Sequence, residues 1–334
     1  MPVRLLLKAL LCCTLLHLCL PLGTAALAAK PYKVLLIFSY GPDYLWEQEI
    51  KAAVEQVLGD EAELTLFYMN TKQELAKGPE KAKEALDLFN SLRPDGVIAA
   101  DDAAQSMFVV PYLKNRVATP VVFCGVNADP EDYGYPARNV SGILERFHLE
   151  ESLAFNRQLT GKTDRFAVMV NESPVADLVA RQLRKERETL SAELIALLRP
   201  TTLEAAIKQA RDVRDKVDML MLVTLNGIVD AVGKPVNDHD AIKAVVDSFG
   251  KPTVATAAFA IKGGALSGVL ATGREQGFLA ANMLLQAMQG TALADLPMRR
   301  NYYGKRILNV TALKHLGLKP QPIALRGVEL VRSE

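Results

Sequence analysis

Cysteine and histidine are scarce in this chain, and their positions exclude two kinds of site. The sequence contains four residues of each type, and three of the cysteines lie within the first 19 positions. Cys124 is the fourth, so a chain that has lost its first residues has no internal disulfide. His148, His239 and His315 lie far apart and lack the spacing of metal ligands. We therefore expect neither a disulfide framework nor a metal centre.

An excess of charge of either sign is also missing. The chain has 39 Lys and Arg residues against 38 Asp and Glu residues, with no basic stripe, so nucleic acid is not an expected partner. Enzyme motifs are missing as well. There is no Gly-x-Ser-x-Gly elbow, no His-Glu-x-x-His, no Walker loop, and no Gly-x-Gly-x-x-Gly after the first apolar run. No cofactor and no catalytic activity are predicted.

The first 28 residues have the pattern of a secretory signal peptide. Arg4 and Lys8 precede an apolar run over residues 10–22, which is too short to cross a bilayer comfortably. Residues 26–28, Ala-Leu-Ala, supply the small-x-small pattern that precedes cleavage. We expect export and removal of residues 1–28; the alternative is an N-terminal membrane anchor.

Beyond that segment the chain repeats one pattern. An apolar run of strand length, about 4–8 residues, ends in small polar residues, and a helical pattern follows. The runs cover residues 34–40, 96–101, 121–125, 166–171 and 218–226. Strands that lack polar alternation are buried on both faces, as in a parallel sheet between layers of helices. The pattern predicts an α/β fold with doubly wound parallel sheets and right-handed crossovers.

The length of 334 residues predicts about two domains at ~150 residues each. We assign residues 29–146 and about 274–305 to a first lobe, and residues 147–273 to a second. Residues 306–334 fit either lobe. Several crossings between the lobes would form a hinge, with a cleft between the two lobes.

Candidate ligand-binding residues lie where the strands end, because open α/β sheets bind ligands beyond the carboxyl ends of their strands. Trp46, the one tryptophan, is either a stacking surface or a core residue. One of Asp101 and Asp102 is expected to cap the following helix and the other to pair with a ligand ammonium. Glu145 is a second ammonium partner or a solvated hinge charge. The first-lobe candidates are Ser39, Tyr40, Tyr44, Trp46, Asp101, Asp102, Gly125, Asn127 and Glu145.

The second lobe offers a parallel set after its own strands. Ser173 stands before a proline and is also a typical helix cap. Thr272 and Gly273 precede a further helix and form a possible anion nest. Cys124 is interpreted as a small core residue, with a catalytic nucleophile as the alternative. The second-lobe candidates are Asn171, Glu172, Ser173, Thr224, Asn226 and Phe259.

Several segments, taken in order, resemble a known family. They are residues 38–40 with Trp46, residues 120–127, residues 139–142, residues 264–269 with 273–277, and residues 309–317. The chain resembles type I periplasmic binding proteins, and more narrowly the substrate-binding family of ABC transporters that includes tryptophan- and tyrosine-type binders. The resemblance implies a periplasmic protein that closes on a small solute, an amino acid by expectation, and presents it to the membrane subunits of an ABC permease.

Two other functions stay open at this point. Related modules serve as sensors, so the chain could be a ligand-sensing subunit of a membrane histidine kinase. An exported enzyme using Asp101, Asp102 or Cys124 is the third hypothesis, although no reacting constellation surrounds these residues. An aromatic amino acid is the expected ligand because Tyr40, Tyr44, Trp46 and Phe259 follow strands. We expect a monomer.

Overall fold

The computed structural model describes residues 30–333. The predicted signal peptide lies outside these residues. Within residues 30–333, no helix combines the length and the apolar character needed to cross a membrane.

The strands alternate with helices along most of the chain. The strands are β1 (Tyr32–Phe38), β2 (Ala62–Tyr68), β3 (Gly96–Ala100), β4 (Val121–Val126), β5 (Val140–Leu144), β6 (Arg165–Met169), β7 (Glu193–Leu198), β8 (Met219–Leu222), β9 (Thr253–Ala255), β10 (Ser267–Leu270), β11 (Arg299–Arg300), β12 (Lys305–Asn309) and β13 (Glu329–Val331). The α-helices are α1 (Leu45–Leu58), α2 (Gly78–Leu92), α3 (Asp101–Ala104), α4 (Leu149–Thr160), α5 (Pro174–Glu186), α6 (Leu203–Val213), α7 (Asp238–Phe249), α8 (Ala258–Lys262), α9 (Gly273–Met288) and α10 (Val310–His315). Short 3₁₀ turns cover Gly59–Glu61, Leu75–Lys77, Pro130–Tyr133, Leu293–Asp295 and Pro322–Leu325.

These strands form two sheets within the described part of the chain. The first has six strands in the order β11-β5-β4-β3-β1-β2, all parallel. The second has seven in the order β13-β12-β10-β9-β8-β6-β7, parallel except between β10 and β12. The predicted α/β class with two parallel-sheet lobes is confirmed. β12 and β13 place the C-terminal segment, which fitted either lobe by sequence, in the second sheet.

Each central strand is buried on both faces, as its unbroken apolar run predicts. In β1, Leu36 packs with the cluster beneath α1 and α9, whereas Leu35 packs with the cluster beneath α2. In the second sheet, Leu220 faces the cluster of α6 and α7, and Met221 faces that of α5. The side chains alternate by two along a strand, so neighbouring apolar residues supply separate cores.

Two glycines let α9 approach α1 closely. A methyl group added at Gly273 would lie 2.3 Å from the Trp46 carbonyl oxygen, and one added at Gly277 would lie 2.5 Å from the Ile50 carbonyl oxygen. Because both obstacles are backbone atoms, only glycine fits at these two positions. The close crossing brings the start of α9 beside the end of β1, where several candidate residues lie.

The segment after β3 differs from the expected ordinary helix. α3 is a single turn, and residues 105–113 continue it as a π-helix that contains Pro111. Proline has no backbone N–H, so a regular α-helix cannot continue through it unchanged. The expectation that Asp101 or Asp102 caps this helix is wrong: the N-cap residue is Ala100, and neither carboxylate bonds a first-turn N–H.

Three segments cross between the sheets within the described residues: 145–148 after β5, 271–272 after β10, and 301–304 after β11. Asn301 fastens the first crossing to the third, since it exchanges hydrogen bonds of 2.8 and 2.9 Å with the backbone of Arg146 and contacts His148 Nε2 at 2.7 Å. In α9, the Glu275 carboxylate accepts N–H groups from residues 302, 303 and 304. The crossings therefore form one hydrogen-bonded base.

Candidate functional site

An aromatic group lies beyond the end of β1, where Tyr40, Tyr44 and Trp46 occupy the turn and the first residues of α1. The rings of Tyr40 and Tyr44 are tilted against each other at 5.7 Å. The ammonium of the exposed Lys72 lies 4.4 and 4.5 Å from these two ring centres. Trp46 is partly buried and packs against the core of the first sheet. Both interpretations of Trp46 are therefore compatible with its position.

Asp101 lies at the end of β3, almost completely buried at 3% exposure. Its backbone is left-handed, with φ 66°, which is uncommon outside glycine. Trp46 Nε1–H donates to Oδ1 at 3.0 Å, while Oδ2 is buried and has no hydrogen-bond partner among the described residues. A methyl group at Gly125 would lie 2.4 Å from Asp101 Oδ1, and Gly125 has φ 68°. Gly125 is thus needed both for its backbone angle and for the space beside this carboxylate.

Glu47 adds a second buried carboxylate that the sequence analysis missed. It lies in the first turn of α1 with 1% exposure. Oε1 accepts the Tyr40 N–H at 2.9 Å, whereas Oε2 is buried without a partner among residues 30–333. Burial raises the pKa of Glu47 to about 7, although the Tyr40 N–H and the Lys72 ammonium act in the opposite direction.

The same edge of the sheet raises the pKa of two more carboxyl groups. Burial, followed by the charges of Glu47 and Glu145, raises the pKa of Asp101 well above its usual range, against the hydrogen bond from Trp46. Burial also raises the pKa of Glu145 to about 7, which the hydrogen bond from Asn127 Nδ2, 2.9 Å from Oε2, partly offsets. Buried carboxylates are costly unless a proton or a cation accompanies them. This edge of the first sheet is therefore suited to hold positive charge.

Asp102 differs from Asp101 because its oxygen atoms are already engaged. Oδ2 accepts the N–H of Asn127 at 3.1 Å, and Oδ1 accepts the N–H of Ala128 at 3.2 Å and the Tyr133 hydroxyl at 2.9 Å. Asp102 therefore orders the loop after β4. Ser39 is likewise engaged: its buried hydroxyl donates to the Ala100 carbonyl at 2.7 Å and accepts the Ala104 N–H at 2.9 Å.

The loop after β4 also touches the second lobe. Asp129 pairs with Arg181 at 3.2 Å and Lys185 at 2.6 Å, both on α5. Next to these pairs, Asn127 and Glu145 line a cavity of about 50 Å³ together with residues of α5. Ligand pockets usually measure ~300–1,000 Å³. The cavity is thus a water-sized gap between the lobes.

The polar residues after the second-sheet strands bond mainly to one another. Asn171 Nδ2 donates to the Asn226 carbonyl at 2.6 Å, and the Ser173 hydroxyl contacts Asn171 at 3.2 Å. Thr224 donates to Asp238 Oδ2 at 2.8 Å. Ser173 does occupy the N-cap position of α5, but its side chain makes no capping hydrogen bond, because the hydroxyl is turned to Asn171.

The remaining second-lobe candidates lie at the surface. Glu172 is exposed and forms an ion pair with Arg199, which also contacts Asp177 at 3.0 Å. Phe259 lies in the first turn of α8 with 43% exposure. The structure thus brings Tyr40, Trp46, Asp101 and Gly125 together, with Asn127 and Glu145 beyond them, and leaves Glu172 and Phe259 apart.

Cys124 and the His, Asp and Glu side chains show no arrangement of a catalytic or metal site within residues 30–333. Cys124 is fully buried in the first-sheet core, and burial raises its thiol pKa well above the usual range, which disfavours a thiolate nucleophile. Among residues 30–333, no group of three or more His, Cys, Asp and Glu side chains is arranged to hold a metal ion.

The family of ABC transporter substrate binding proteins matches residues 60–325, which is most of the chain. The chain belongs to this family. No curated protein sequence matches it.

Solved structures show the same fold at low sequence identity. The ligand-free, open structure of CD0873, a substrate binding protein from Clostridium difficile, is 17% identical, with a TM-score of 0.68; the match covers 91% of this chain and 100% of that one. An ABC domain in complex with L-Trp from Streptococcus pneumonia is 18% identical, with a TM-score of 0.52, covering 90% and 100%. A conserved domain protein from Vibrio cholerae is 15% identical, with a TM-score of 0.53, covering 90% and 99%. The type I periplasmic binding protein fold of this ABC transporter substrate-binding protein is confirmed.

Proposed function

We propose that this substrate-binding protein captures an amino acid, by preference an aromatic one, outside the cytoplasm and delivers it to an ABC permease. The observation that supports this proposal most is the first-sheet edge, where Tyr40 and Trp46 lie next to Asp101 and the partly buried Glu145. An aromatic surface beside carboxyl groups that lack enough cationic partners suits an apolar side chain joined to an ammonium.

We assign the ligand ammonium to the carboxyl groups of Asp101 and Glu145. The aromatic side chain of the ligand would contact the rings of Tyr40 and Trp46. Asp101 Oδ2 has no hydrogen-bond partner among residues 30–333. The other oxygen of the same carboxylate, Oδ1, accepts the Trp46 Nε1–H at 3.0 Å. Asn127 presents an amide beside Glu145 and can give donor and acceptor contacts. On the second lobe, the exposed Asn226 follows β8, and its side-chain amide is the donor proposed for the ligand carboxylate.

Closure about the three crossings would bring the second lobe onto the solute, which is the mechanism of periplasmic binding proteins in general. The hydrogen bonds that Asn301 and Glu275 make between the crossing segments hold these segments together, so each lobe would rotate as a unit. A monomer acting in the periplasm and handing its closed form to a permease is the simplest arrangement that this proposal requires. No catalytic step is included in it.

The proposal is tested by titrating the purified protein with L-tryptophan and two analogues, one without the ammonium and one without the carboxylate. Isothermal titration calorimetry measures each affinity, because L-tryptophan is itself fluorescent and would mask the emission of Trp46, the single tryptophan of the chain. We expect the analogue without the ammonium to lose the most affinity. Trp46→Ala should weaken binding at least tenfold, about 1.4 kcal/mol. If sugars raise the melting temperature and amino acids leave it unchanged, the ligand assignment is wrong.

A further inference from the structure

A basic groove lies on the hinge, apart from the strand ends described above. It has a volume of about 570 Å³. We call it the hinge groove; the side chains that line it include Glu49, Arg274, Tyr303, Lys305, Arg306 and Arg326. Thr272 and Arg274 belong to the second crossing and the start of α9, whereas Lys305 and Arg306 belong to β12 of the second sheet. Both lobes therefore contribute to it.

Four of these side chains are cationic and one is acidic, so the groove carries an excess of positive charge. The acid, Glu49, already accepts the Gly273 N–H at 3.0 Å. Lys305 is the one cation of the four whose side chain pairs with a carboxylate, that of Glu329, within residues 30–333.

The three arginines have no carboxylate partner among the described residues. Arg274 donates to the Gln56 amide oxygen at 3.1 Å. Arg306 lies over the Phe155 ring at 5.5 Å. The guanidinium of Arg326 is exposed and makes no hydrogen bond or ion pair with the rest of residues 30–333. Guanidinium groups bind oxyanions through paired N–H donors, so three unneutralised ones around one groove favour a phosphate-type ligand.

Two neighbouring features have the same chemical preference. The groove opens at the N-terminus of α9, a helix of 16 residues whose dipole favours negative charge; the Glu49 carboxylate already accepts the Gly273 N–H there, so the arginines are the groups that would hold a further anion. Tyr303 lies at its rim with 76% exposure, and an exposed tyrosine can donate its hydroxyl to an oxyanion. The Thr272-Gly273 pair, noted in the sequence as a possible anion nest, thus lies at the edge of a basic groove.

We propose that the hinge groove binds a phosphate-type oxyanion, either free or as the headgroup of a lipid. The guanidinium groups of Arg274, Arg306 and Arg326 hold the oxyanion from both sides of the hinge. An anion bound there contacts elements of both lobes and so restrains the angle between them. The site is separate from the proposed amino-acid site and does not depend on it.

Isothermal titration calorimetry with inorganic phosphate tests the free form, with sodium chloride at equal ionic strength as the reference. Flotation with phosphatidylglycerol vesicles, against phosphatidylcholine vesicles, tests the headgroup form. The double variant Arg274→Gln/Arg326→Gln removes two of the cations. Arg184→Gln/Arg187→Gln is its matched control, because it removes the same charge from exposed arginines at the end of α5.

We expect saturable binding of phosphate or of phosphatidylglycerol vesicles, at least tenfold weaker in the groove variant and unchanged in the control. Binding in the titration identifies a free anion, and binding in the flotation alone identifies a headgroup. Arg326→Gln by itself covers the case in which the double variant does not fold, since this side chain supports no contact. Absence of binding in both assays, or equal losses in the groove variant and the control, overturns the proposal.

Discussion

The strand-end edges of the two sheets are built from similar residues and differ in how those residues are satisfied. On the first sheet, Glu47 and Asp101 each keep a buried oxygen without a hydrogen-bond partner among residues 30–333. On the second sheet, Asp238 is engaged at both oxygens, by Thr224 and by the Leu225 N–H at 2.8 Å. The unpaired atoms of the first edge are carboxylate oxygens, which can accept a cation, whereas the unpaired atoms near the second edge are the nitrogens Arg199 Nε and His239 Nε2.

This difference agrees with the proposed function, in which the first lobe binds the ligand ammonium and the second lobe closes over the ligand. Buried polar groups in stable folds are normally paired, so unpaired ones require a further explanation, such as a ligand. An edge whose Asp238 carboxylate is already paired offers no acceptor of this kind to the ammonium and is suited to close over the rest of the ligand. We infer that affinity for the positively charged end of a solute resides in the first lobe.

The largest expected effect is a loss of stability as the pH rises, caused by the first-sheet edge. Glu47 has its pKa raised from 4.5 to about 7 in the folded protein. Its stabilising contribution is therefore complete below pH 4.5 and is lost as the pH rises to about 7. At ~1.4 kcal/mol per pKa unit, the loss approaches about 3 kcal/mol.

Urea unfolding between pH 4.5 and 8 measures this loss as the difference between wild type and Glu47→Gln. The difference should change with pH in this window, and Glu145 should add a change of the same sign in both proteins because its pKa is raised as well. Glu172→Gln changes an exposed site on the other edge. Its free energy of unfolding should vary with pH as that of the wild type does. If Glu47→Gln also runs parallel, the carboxyl group is ionised throughout and the comparison of the two edges fails.

The next effect is on the second-sheet edge, where Asp238→Ala removes an acceptor from Thr224 and Leu225. Leaving a part-buried backbone N–H without its charged partner should lower the free energy of unfolding by about 2 kcal/mol. Asp240→Ala in the same turn of α7 is the control, since that side chain is mostly exposed and should cost under ~0.5 kcal/mol. Equal stabilities of the two variants in urea would show that the second edge is not held by Asp238.

A smaller effect is expected from Trp46→Phe, which keeps an aromatic ring and removes the N–H that donates to Asp101. The loss of this hydrogen bond should cost about 1 kcal/mol and raise the pKa of Asp101 further. Thermal unfolding at pH 8 measures the cost. Tyr44→Phe is the matched control on the same edge and should change little. A melting temperature of Trp46→Phe equal to that of Tyr44→Phe would count against the Trp46–Asp101 contact.

The smallest effect concerns Lys72, whose ammonium lies over two tyrosine rings. Lys72→Met should cost about 0.5 kcal/mol, as expected for an exposed cation–π contact. It should also move the pH profile of stability to higher pH, because the Lys72 charge lowers the pKa of Glu47. Lys77→Met, on the same segment, should leave the profile in place. A profile that moves equally in both variants would indicate a general charge effect.

The strands could be predicted from the sequence, because a strand that is buried on both faces consists of consecutive apolar residues. The first apolar run predicts a strand at residues 34–40, which runs over Tyr32–Phe38, and the run at residues 96–101 is a strand over Gly96–Ala100. The ends shifted because pairing with neighbouring strands, rather than the apolar run itself, decides where a strand stops.

The candidate site was only partly accessible to such reasoning. Asp101 was identified because it follows a buried run directly. Glu47 was missed because an acid in the first turn of a helix is normally exposed and favourable there, and the local pattern does not show that its carboxylate accepts the Tyr40 N–H. Gln276 was missed too: its amide oxygen accepts the Gly125 N–H at 2.9 Å, across 151 residues of sequence. Local patterns cannot report such contacts.

The antiparallel pairing of β10 with β12 has a consequence for biogenesis. β10 is made well before its partner, since α9 and β11 lie between them in the chain and belong to the layers of the other sheet. During synthesis, which proceeds from the N-terminus, β10 therefore presents a bare edge until residues 305–309 emerge. Such edges invite pairing with foreign strands, so this interval is when a nascent chain would most need a holdase.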